Sequence, residues 1–211
     1  MSADDPRLAR LLEHPAIWRG RSAARVGVVP TGFTTLDASL PGNGWPSSGL
    51  VEILLPTLGV GELNLLLPAL AELTGRAQGR WCTWIAPPFE PFAPALAAHG
   101  LTLSRVLIVR APSPLWACEQ ALGSGACEVV LAWVREVKLR AMRRLQLATE
   151  RGRTLGFLFR TLTARTLHES SAAALRLAVE PAGEGTRVTL LKSRGGWRGS
   201  LELSWRDVLS D

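Results

Sequence analysis

Apolar residues occur in two patterns that alternate along most of this chain. Short, near-continuous apolar runs predict strands at 50–55, 80–86, 105–109, 128–133 and 154–160. Between these runs, apolar residues recur at helical spacing and predict helices at 62–74, 90–99, 114–123 and 138–151. Continuous apolar strands are typical of a parallel sheet covered on both faces, and strand–helix alternation indicates βαβ crossovers. The pattern therefore predicts an α/β fold with a mostly parallel sheet and helices on both faces.

The two ends of the chain depart from this alternation. Short apolar runs at 174–180, 186–192 and 200–205 are joined by glycine-rich turns, which predicts an antiparallel C-terminal extension at the edge of the sheet. Near the N-terminus, Asp5 and Pro6 form a helix-start signal, and a linker-like stretch containing arginines follows. These features divide the chain into an N-terminal helix with a linker (1–28) and one α/β domain (29–211).

Residues 49–62 (GLVEILLPTLGVGE) form the stretch around which the domain is organised. A buried strand, a glycine-containing turn and an apolar helix make the unit that holds phosphate groups in many nucleotide-binding proteins. That chemistry needs a Lys followed by Ser or Thr, but Gly61 and Glu62 stand at the turn here. Glu62 has two interpretations. It is either a carboxylate favoured by the helix dipole, or a replacement for phosphate that accepts hydrogen bonds from the N–H groups of Gly59–Gly61.

Composition indicates a globular protein with a packed core, since 47% of its 211 residues are hydrophobic and 20% are charged. Cys82, Cys118 and Cys127 lie in apolar segments without metal-ligand spacing, which indicates reduced core residues of a cytoplasmic protein. The first residues do not resemble a signal peptide. No paired carboxylates, nucleophile motif or metal-ligand cluster appears, so we expect neither catalysis nor a cofactor or metal.

The net charge of +6 is concentrated in one stretch, 135–153, which predicts a helix with an arginine-rich outer side. Its arginines either form a solvated surface or contact nucleic acid or an acidic partner. A second basic stretch, 192–198, is either a hairpin turn or a single-strand binding element. The candidate residues for contact with a partner or nucleic acid are Arg140, Arg143, Arg144, Arg165, Arg194 and Arg198.

Several segments resemble known protein families. TGFTTLD (31–37) and GNGWPSSGLVEI (42–53) resemble the opening of RecA-type recombinases. GVGELNLLLPALAEL (59–73), WIAPPFEPFAPALAAHGL (84–101) and LRAMRRLQLATERG (139–152) resemble the ImuA family more closely. SulA-type division inhibitors are more distant members of the same group.

The resemblance implies a RecA-like core with a vestigial nucleotide site. It places Leu55 at the first glycine of the phosphate loop, Gly61 at the lysine and Glu62 at the magnesium-binding hydroxyl. Trp133 falls where the magnesium aspartate belongs. These losses together imply that ATP is not hydrolysed. Arg165 would remain in a shortened loop of the kind that holds DNA in recombinases.

The ImuA resemblance implies a non-catalytic, cytoplasmic accessory protein of the SOS response to DNA damage. Such a protein would act in translesion synthesis and mutagenesis with ImuB and an error-prone replicative-type polymerase. RecA is a further candidate partner, and direct DNA contact is left open. Two alternatives remain. One is a SulA-like inhibitor of the cell-division GTPase FtsZ, and the other is a RecA-like DNA-dependent ATPase.

Overall fold

The computed structural model describes residues 27–193 and 198–205. The predicted N-terminal helix and nearly all of the linker after it, together with Arg194, lie outside these residues. The strands are β1 (Val28–Val29), β2 (Trp45–Pro46), β3 (Gly49–Leu55), β4 (Trp81–Ile85), β5 (Val106–Val109), β6 (Cys127–Trp133), β7 (Leu155–Thr161), β8 (Leu175–Ala182), β9 (Gly185–Ser193) and β10 (Gly199–Ser204). The helices are α1 (Thr34–Ser39), α2 (Leu67–Gly75), α3 (Ala93–Ala98), α4 (Pro114–Gly123), α5 (Leu139–Gly152) and α6 (Ala164–His168).

Eight of these strands form one sheet in the order β10-β9-β8-β3-β7-β6-β4-β5. Strand β3 is parallel to both of its neighbours, β7 and β8, and the strands from β7 to β5 are parallel as well. Strands β9 and β10 continue the sheet in antiparallel pairing. The predicted mostly parallel α/β sheet with an antiparallel extension is confirmed. The small β1–β2 pair and helix α6 were not predicted.

The buried side chains of β3 alternate between the two faces of the sheet, as strand geometry requires. Val51, Ile53 and Leu55 pack in a cluster with residues of α2 and α3. Leu50 packs in a second cluster with residues of α4 and α5. After β3 the chain crosses to β4 and β5 at one edge of the sheet. It then returns through β6 to β7, which lies beside β3, and continues to β8 on the other side of β3. The loop after β3 therefore lies at the point where α/β sheets commonly bind ligands.

Helix α2 begins five residues later than the predicted 62–74. It starts at Leu67, and residues 62–66 form turns. Pro68 occupies the first turn of the helix. Proline is tolerated there because the first N–H groups have no partner within the helix, whereas an interior proline breaks the helical hydrogen bonds. The extra turns lengthen the segment between β3 and α2 and allow the side chain of Glu62 to fold back onto the loop.

Candidate functional site

The loop after β3 is closed by one of its own carboxylates. Gly59 and Gly61 adopt positive φ angles of 80° and 94°, which glycine tolerates best. The N–H of Gly59 donates to Oε1 of Glu62 at 3.1 Å, and Glu62 is only 4% exposed. The carboxylate therefore accepts a hydrogen bond from an N–H group of its own loop. This contact agrees with the second interpretation of Glu62 at Gly59.

An indole ring covers the same loop from outside. A Cβ atom at Gly61 would lie 2.9 Å from Cζ2 of Trp205, so the ring rests directly on the backbone of this glycine. The ring of Phe33 meets Trp205 edge-on at a centroid distance of 6.2 Å. Trp205 directly follows β10, while Gly61 precedes α2. The C-terminal part of the sheet therefore helps to hold the loop after β3 in its closed shape.

Aromatic side chains of β4, β6 and β7 pack against one another. Trp133 is 7% exposed and stacks on Phe159, with a centroid distance of 4.7 Å and an interplanar angle of 22°. The ring of Trp84 lies 5.9 Å from that of Trp133. The resemblance placed the magnesium aspartate at Trp133. Magnesium requires oxygen ligands, and a buried indole provides none.

A buried charge network crosses the sheet below the loop. Glu52 of β3 is fully buried, with Oε1 2.7 Å from Nη1 of Arg160 and Oε2 2.9 Å from Nε of Arg176. Nη2 of Arg160 also donates to Glu169 at 3.1 Å. Burial acts to lower the pKa of Arg160, but the hydrogen bonds that it donates to Glu52 and Glu169 raise it above its ordinary value. Glu52 thus pairs with both arginines in the interior, and the partly exposed Glu169 adds a second carboxylate beside Arg160.

Sequence analysis did not identify this network, although the sequence carries a signal for it. Glu52 is a charged residue within an otherwise apolar predicted strand. Such a residue must find a buried cation, because an isolated buried charge is very unfavourable. Arg176 also donates to the backbone carbonyls of Thr166, Leu167 and Glu169. The network therefore fixes the α6 segment against the sheet.

Exposed apolar side chains lie in the closed loop and in the segment after β4 that approaches it. Leu58, Phe89 and Phe92 are 41%, 67% and 70% exposed, and we call these three residues the phenylalanine patch. Cε2 of Phe89 lies 4.0 Å from the position of a Cβ atom at Gly59. Glu90, which pairs with Arg110, adds polar groups next to the patch. Apolar patches with polar edges are typical of protein interaction sites. Sequence analysis did not single out these phenylalanines.

Among the described residues, the predicted basic side chains lie on several separate surfaces. Arg140, Arg143 and Arg144 are exposed on α5, where Arg144 pairs with Glu119 of α4. Arg165 lies on α6, pairs with Glu169 at 2.9 Å, and lines a cleft of about 780 Å³ between the α5 and α6 segments. Arg198 is exposed just before β10. These positions form several surfaces and therefore no single nucleic-acid groove.

Comparison with known proteins identifies the family. A family model described as "Cell division inhibitor SulA" matches residues 57–156. The cell division inhibitor SulA of Edwardsiella piscicida is 37% identical over 120 residues, which is 54% of this chain and 68% of that protein. The SulA of Yersinia enterocolitica is 34% identical over 134 residues, which is 62% of this chain and 79% of that protein.

The chain belongs to the SulA family. Among solved structures, the crystal structure of SulA from Pseudomonas aeruginosa has 28% sequence identity and a TM-score of 0.45. The match covers 53% of this chain and 98% of the Pseudomonas aeruginosa chain. The region that matches the SulA model includes Glu62, the phenylalanine patch, Trp133 and helix α5.

The prediction of ImuA family membership is wrong, because the matching family model and relatives are those of SulA. The predicted partners, namely ImuB, an error-prone polymerase and RecA, are wrong with it, as is the predicted role in translesion synthesis and mutagenesis. The alternative of a SulA-type protein is confirmed at the level of the family. Long apolar segments reflect the packing of a sheet with its helices and do not distinguish between families that share a fold.

Metal ligands and membrane spans are the two further classes of site considered for 27–193 and 198–205. No group of three or more His, Cys, Asp or Glu in these ranges is placed to hold a metal ion. No helix in the same ranges is long and apolar enough to cross a membrane. All three cysteines are buried, and burial raises the pKa of both Cys82 and Cys118 to about 12. These two thiols are therefore packing residues of the SulA-family domain.

Proposed function

We propose that this protein inhibits cell division by binding the division GTPase FtsZ in the cytoplasm, and that it does so without catalysis. The observation that carries the proposal is the match of residues 57–156 to the model described as "Cell division inhibitor SulA". The matched region begins in the loop after β3 and includes every residue of the phenylalanine patch. An inhibitor of this kind needs a binding surface and no reaction centre.

The scaffold in this proposal is a RecA-like core whose nucleotide site is vestigial. The closed loop supports this, because Glu62 accepts the Gly59 N–H group at 3.1 Å and Trp205 packs on Gly61. An entering phosphate would have to displace the carboxylate. Two unit charges of the same sign about 4 Å apart repel by about 4 kcal/mol at an effective dielectric constant near 20. ATP binding is therefore strongly disfavoured.

We assign the contact with FtsZ to the phenylalanine patch. Phe89 and Phe92 are the two most exposed large apolar side chains in the described part of the chain. Pro87, Pro88 and Pro91 surround them in the sequence and restrict the backbone of this segment. Rigid, exposed aromatic side chains are typical anchors of protein interfaces, because little conformational entropy is lost when they bind.

A pelleting assay with FtsZ and GTP tests this proposal. The unmodified protein should reduce the amount of FtsZ that sediments, as its concentration rises. The double variant Phe89→Glu, Phe92→Glu should need about tenfold more protein for the same effect, because it loses two anchors. Leu147→Gln is the matched control, since Leu147 is 62% exposed on α5, which packs on the other face of the sheet, and should inhibit normally.

Two results would contradict the proposal. If the unmodified protein in large molar excess leaves FtsZ sedimentation unchanged, FtsZ is not its target. If the double variant inhibits fully while Leu147→Gln does not, the contact lies on α5. Thermal unfolding tests the closed loop separately. ATP with magnesium should leave the Tm of the unmodified protein unchanged, and a rise would show an open nucleotide site. Glu62→Lys removes the closing carboxylate and should gain a rise in Tm with ATP and magnesium, whereas an unchanged Tm would leave the vestigial nucleotide site unsupported.

A further inference from the structure

Most cations in one segment of the chain lack the carboxylate partners that most arginines in the rest of the described chain have. Across the described residues outside 135–153, seven arginines pair with carboxylates: Arg76, Arg80, Arg110, Arg160, Arg165, Arg176 and Arg187. Within 135–153, Arg144 alone does so. In the same described part of the chain, no carboxylate pairs with Arg135, Lys138, Arg140, Arg143, Arg151 or Arg153. The segment therefore carries positive charge that the fold leaves unbalanced.

Helix α5 arranges much of this charge around an apolar residue. Met142, Leu145 and Thr149 are buried, whereas Leu139 is 38% exposed. Leu147 is 62% exposed and lies on the outward side of the helix. Residues three or four positions apart share one side of a helix. Arg143, Arg144 and Arg151 therefore lie one turn from Leu147 on that side, and Arg140 lies two turns away. Glu150 is exposed on the same side, three positions from Leu147, and accepts a hydrogen bond from Gln146.

The neighbouring helix α4 extends this surface. Trp116 is 61% exposed, and Glu119 lies one turn further along α4 and holds Arg144. Arg151 passes close to Gly123 at the end of α4, so the two helices are in contact along their outer sides. We call the surface made by Trp116, Leu147 and the four arginines the arginine face. It combines two exposed apolar anchors with a positively charged border.

We infer that the arginine face binds an acidic amphipathic helix of a partner protein. An apolar side chain of that helix would sit between Trp116 and Leu147, and its carboxylates would meet the surrounding guanidinium groups. Arg144 already binds the carboxylate of Glu119 through both Nε and Nη2. The side chain of Arg144 is therefore oriented so that two of its nitrogen atoms bind one carboxylate.

Other anionic occupants fit this surface less well. Single-stranded nucleic acid binds in positively charged grooves with several aromatic stacking platforms, whereas this face is the open outer side of two helices with one tryptophan. Its central side chain, Leu147, is aliphatic and provides no ring for a base. A membrane-surface helix needs a broad apolar side, but the broad apolar side of α5 is buried in the core.

Binding of defined probes tests this inference without FtsZ, so it can fail or succeed independently of the proposed function. The main probe is a fluorescein-labelled helical peptide with glutamates at i, i+4 spacing and a central leucine. Its counterpart carries glutamine at every glutamate position. By fluorescence anisotropy, the acidic peptide should bind at least about tenfold more tightly, and added salt should weaken it.

Charge reversal on α5 should weaken binding of the acidic peptide about tenfold in Arg143→Glu. Leu147→Gln should weaken it by about threefold or more, because the apolar contact is lost. Arg198→Glu is the matched control, since Arg198 is also exposed, has no carboxylate partner in the described chain and gives the same change in net charge. This control should change binding less than twofold or so. Circular dichroism would verify that each variant is folded.

Three outcomes would overturn the inference. The first is equal weakening by Arg198→Glu and Arg143→Glu, which would mean that overall charge alone attracts the peptide. The second is tighter binding of a labelled oligothymidylate than of the acidic peptide, with loss in Arg143→Glu. The third is tighter binding of mixed vesicles of phosphatidylglycerol and phosphatidylcholine than of the acidic peptide, again with loss in Arg143→Glu. The second and third outcomes would assign the face to nucleic acid or to an anionic membrane.

Discussion

The arginines at the centre of the sheet around β3 are paired with a carboxylate, whereas most arginines of the arginine face on α4 and α5 have no carboxylate partner in the described chain. At the centre, Arg160 and Arg176 are almost fully buried and share the carboxylate of Glu52. On the arginine face, Arg140, Arg143 and Arg151 are exposed and have no carboxylate partner in the described chain. The charges of the first region are paired within the protein, whereas the second region has charge available for another molecule.

This difference separates changes that affect folding from changes that affect binding. Removing one member of a buried ion pair leaves an uncompensated charge inside the protein. Changing an exposed and unpaired arginine alters only the surface, where water screens the charge. Variants of the sheet centre should therefore lose stability, and variants of the arginine face should lose affinity for a partner while remaining stable.

The largest effect is expected for Glu52→Gln. This change leaves two buried guanidinium groups without their shared carboxylate, and we expect the free energy of unfolding to fall by about 3–5 kcal/mol. Urea denaturation would measure it. Glu202→Gln is the control, because Glu202 pairs with Arg187 at the surface, where such pairs contribute at most about 1 kcal/mol. Equal losses in the two variants would show that the network contributes no more than a surface pair.

A smaller loss of stability is expected for Gly61→Ala. The new methyl group would meet Trp205, and alanine would be strained at a φ of 94°, so unfolding should become easier by about 1–3 kcal/mol. Gly75→Ala provides the comparison. It lies at the end of α2 with free space around it, and should raise stability by about 0.4–1 kcal/mol. A stable Gly61→Ala variant would mean that Trp205 does not hold the loop closed.

On the arginine face, Arg143→Glu should change the free energy of unfolding by less than about 0.5 kcal/mol. Arg143 has no carboxylate partner in the described chain to lose, and the substitution removes repulsion among neighbouring arginines. Chemical denaturation would measure the change, with Arg144→Glu as a companion that also loses the pair with Glu119. A loss for Arg143→Glu as large as that for Glu52→Gln would remove the distinction between the two regions.

The smallest expected effect concerns the reactivity of the buried thiols of Cys82 and Cys118. Burial raises the pKa of Cys118 on α4 and of Cys82 on β4 to about 12, so both should remain protonated and unreactive toward Ellman's reagent at pH 8. All three thiols should react after denaturation in urea. Because the folded-state pKa is raised, protonation of these groups favours the folded form below their ordinary pKa, and this contribution falls as pH rises toward 12. Rapid labelling of native Cys118 would show that α4 opens.

Much of the fold could be predicted from the sequence because it depends on local patterns. The apolar runs located each main strand from β3 to β10, and the glycine-rich turns indicated the antiparallel extension. The start of α2 was missed although Pro68 marks it. The remaining features depend on contacts between distant residues. Glu52 and Arg160 are 108 positions apart, and a single sequence does not pair them. Likewise, no residue near Gly61 in the sequence indicates that Trp205 packs on this glycine.

The candidate site was predictable only in part for the same reason. The sequence showed that the loop after β3 lacks phosphate-binding groups, because that depends on Gly61 and Glu62 themselves. It did not show that Phe89 and Phe92 are exposed, since an apolar residue beside prolines fits a core equally well. Family assignment failed where the apolar segments 59–73 and 84–101 were given weight as signatures. Their composition follows from packing and is shared widely among α/β proteins.

The position of β3 between β7 and β8 has a consequence for biosynthesis. The ribosome makes β3 early, but both of its hydrogen-bonding neighbours emerge about a hundred residues later. Until then, its edges and apolar side chains remain accessible to chaperones and proteases. Glu52 also lacks its partners Arg160 and Arg176 during this time. Such long-range pairing slows folding. A nascent chain stopped before residue 155 should therefore be degraded readily, and the cellular level of this protein should depend closely on how quickly synthesis is completed.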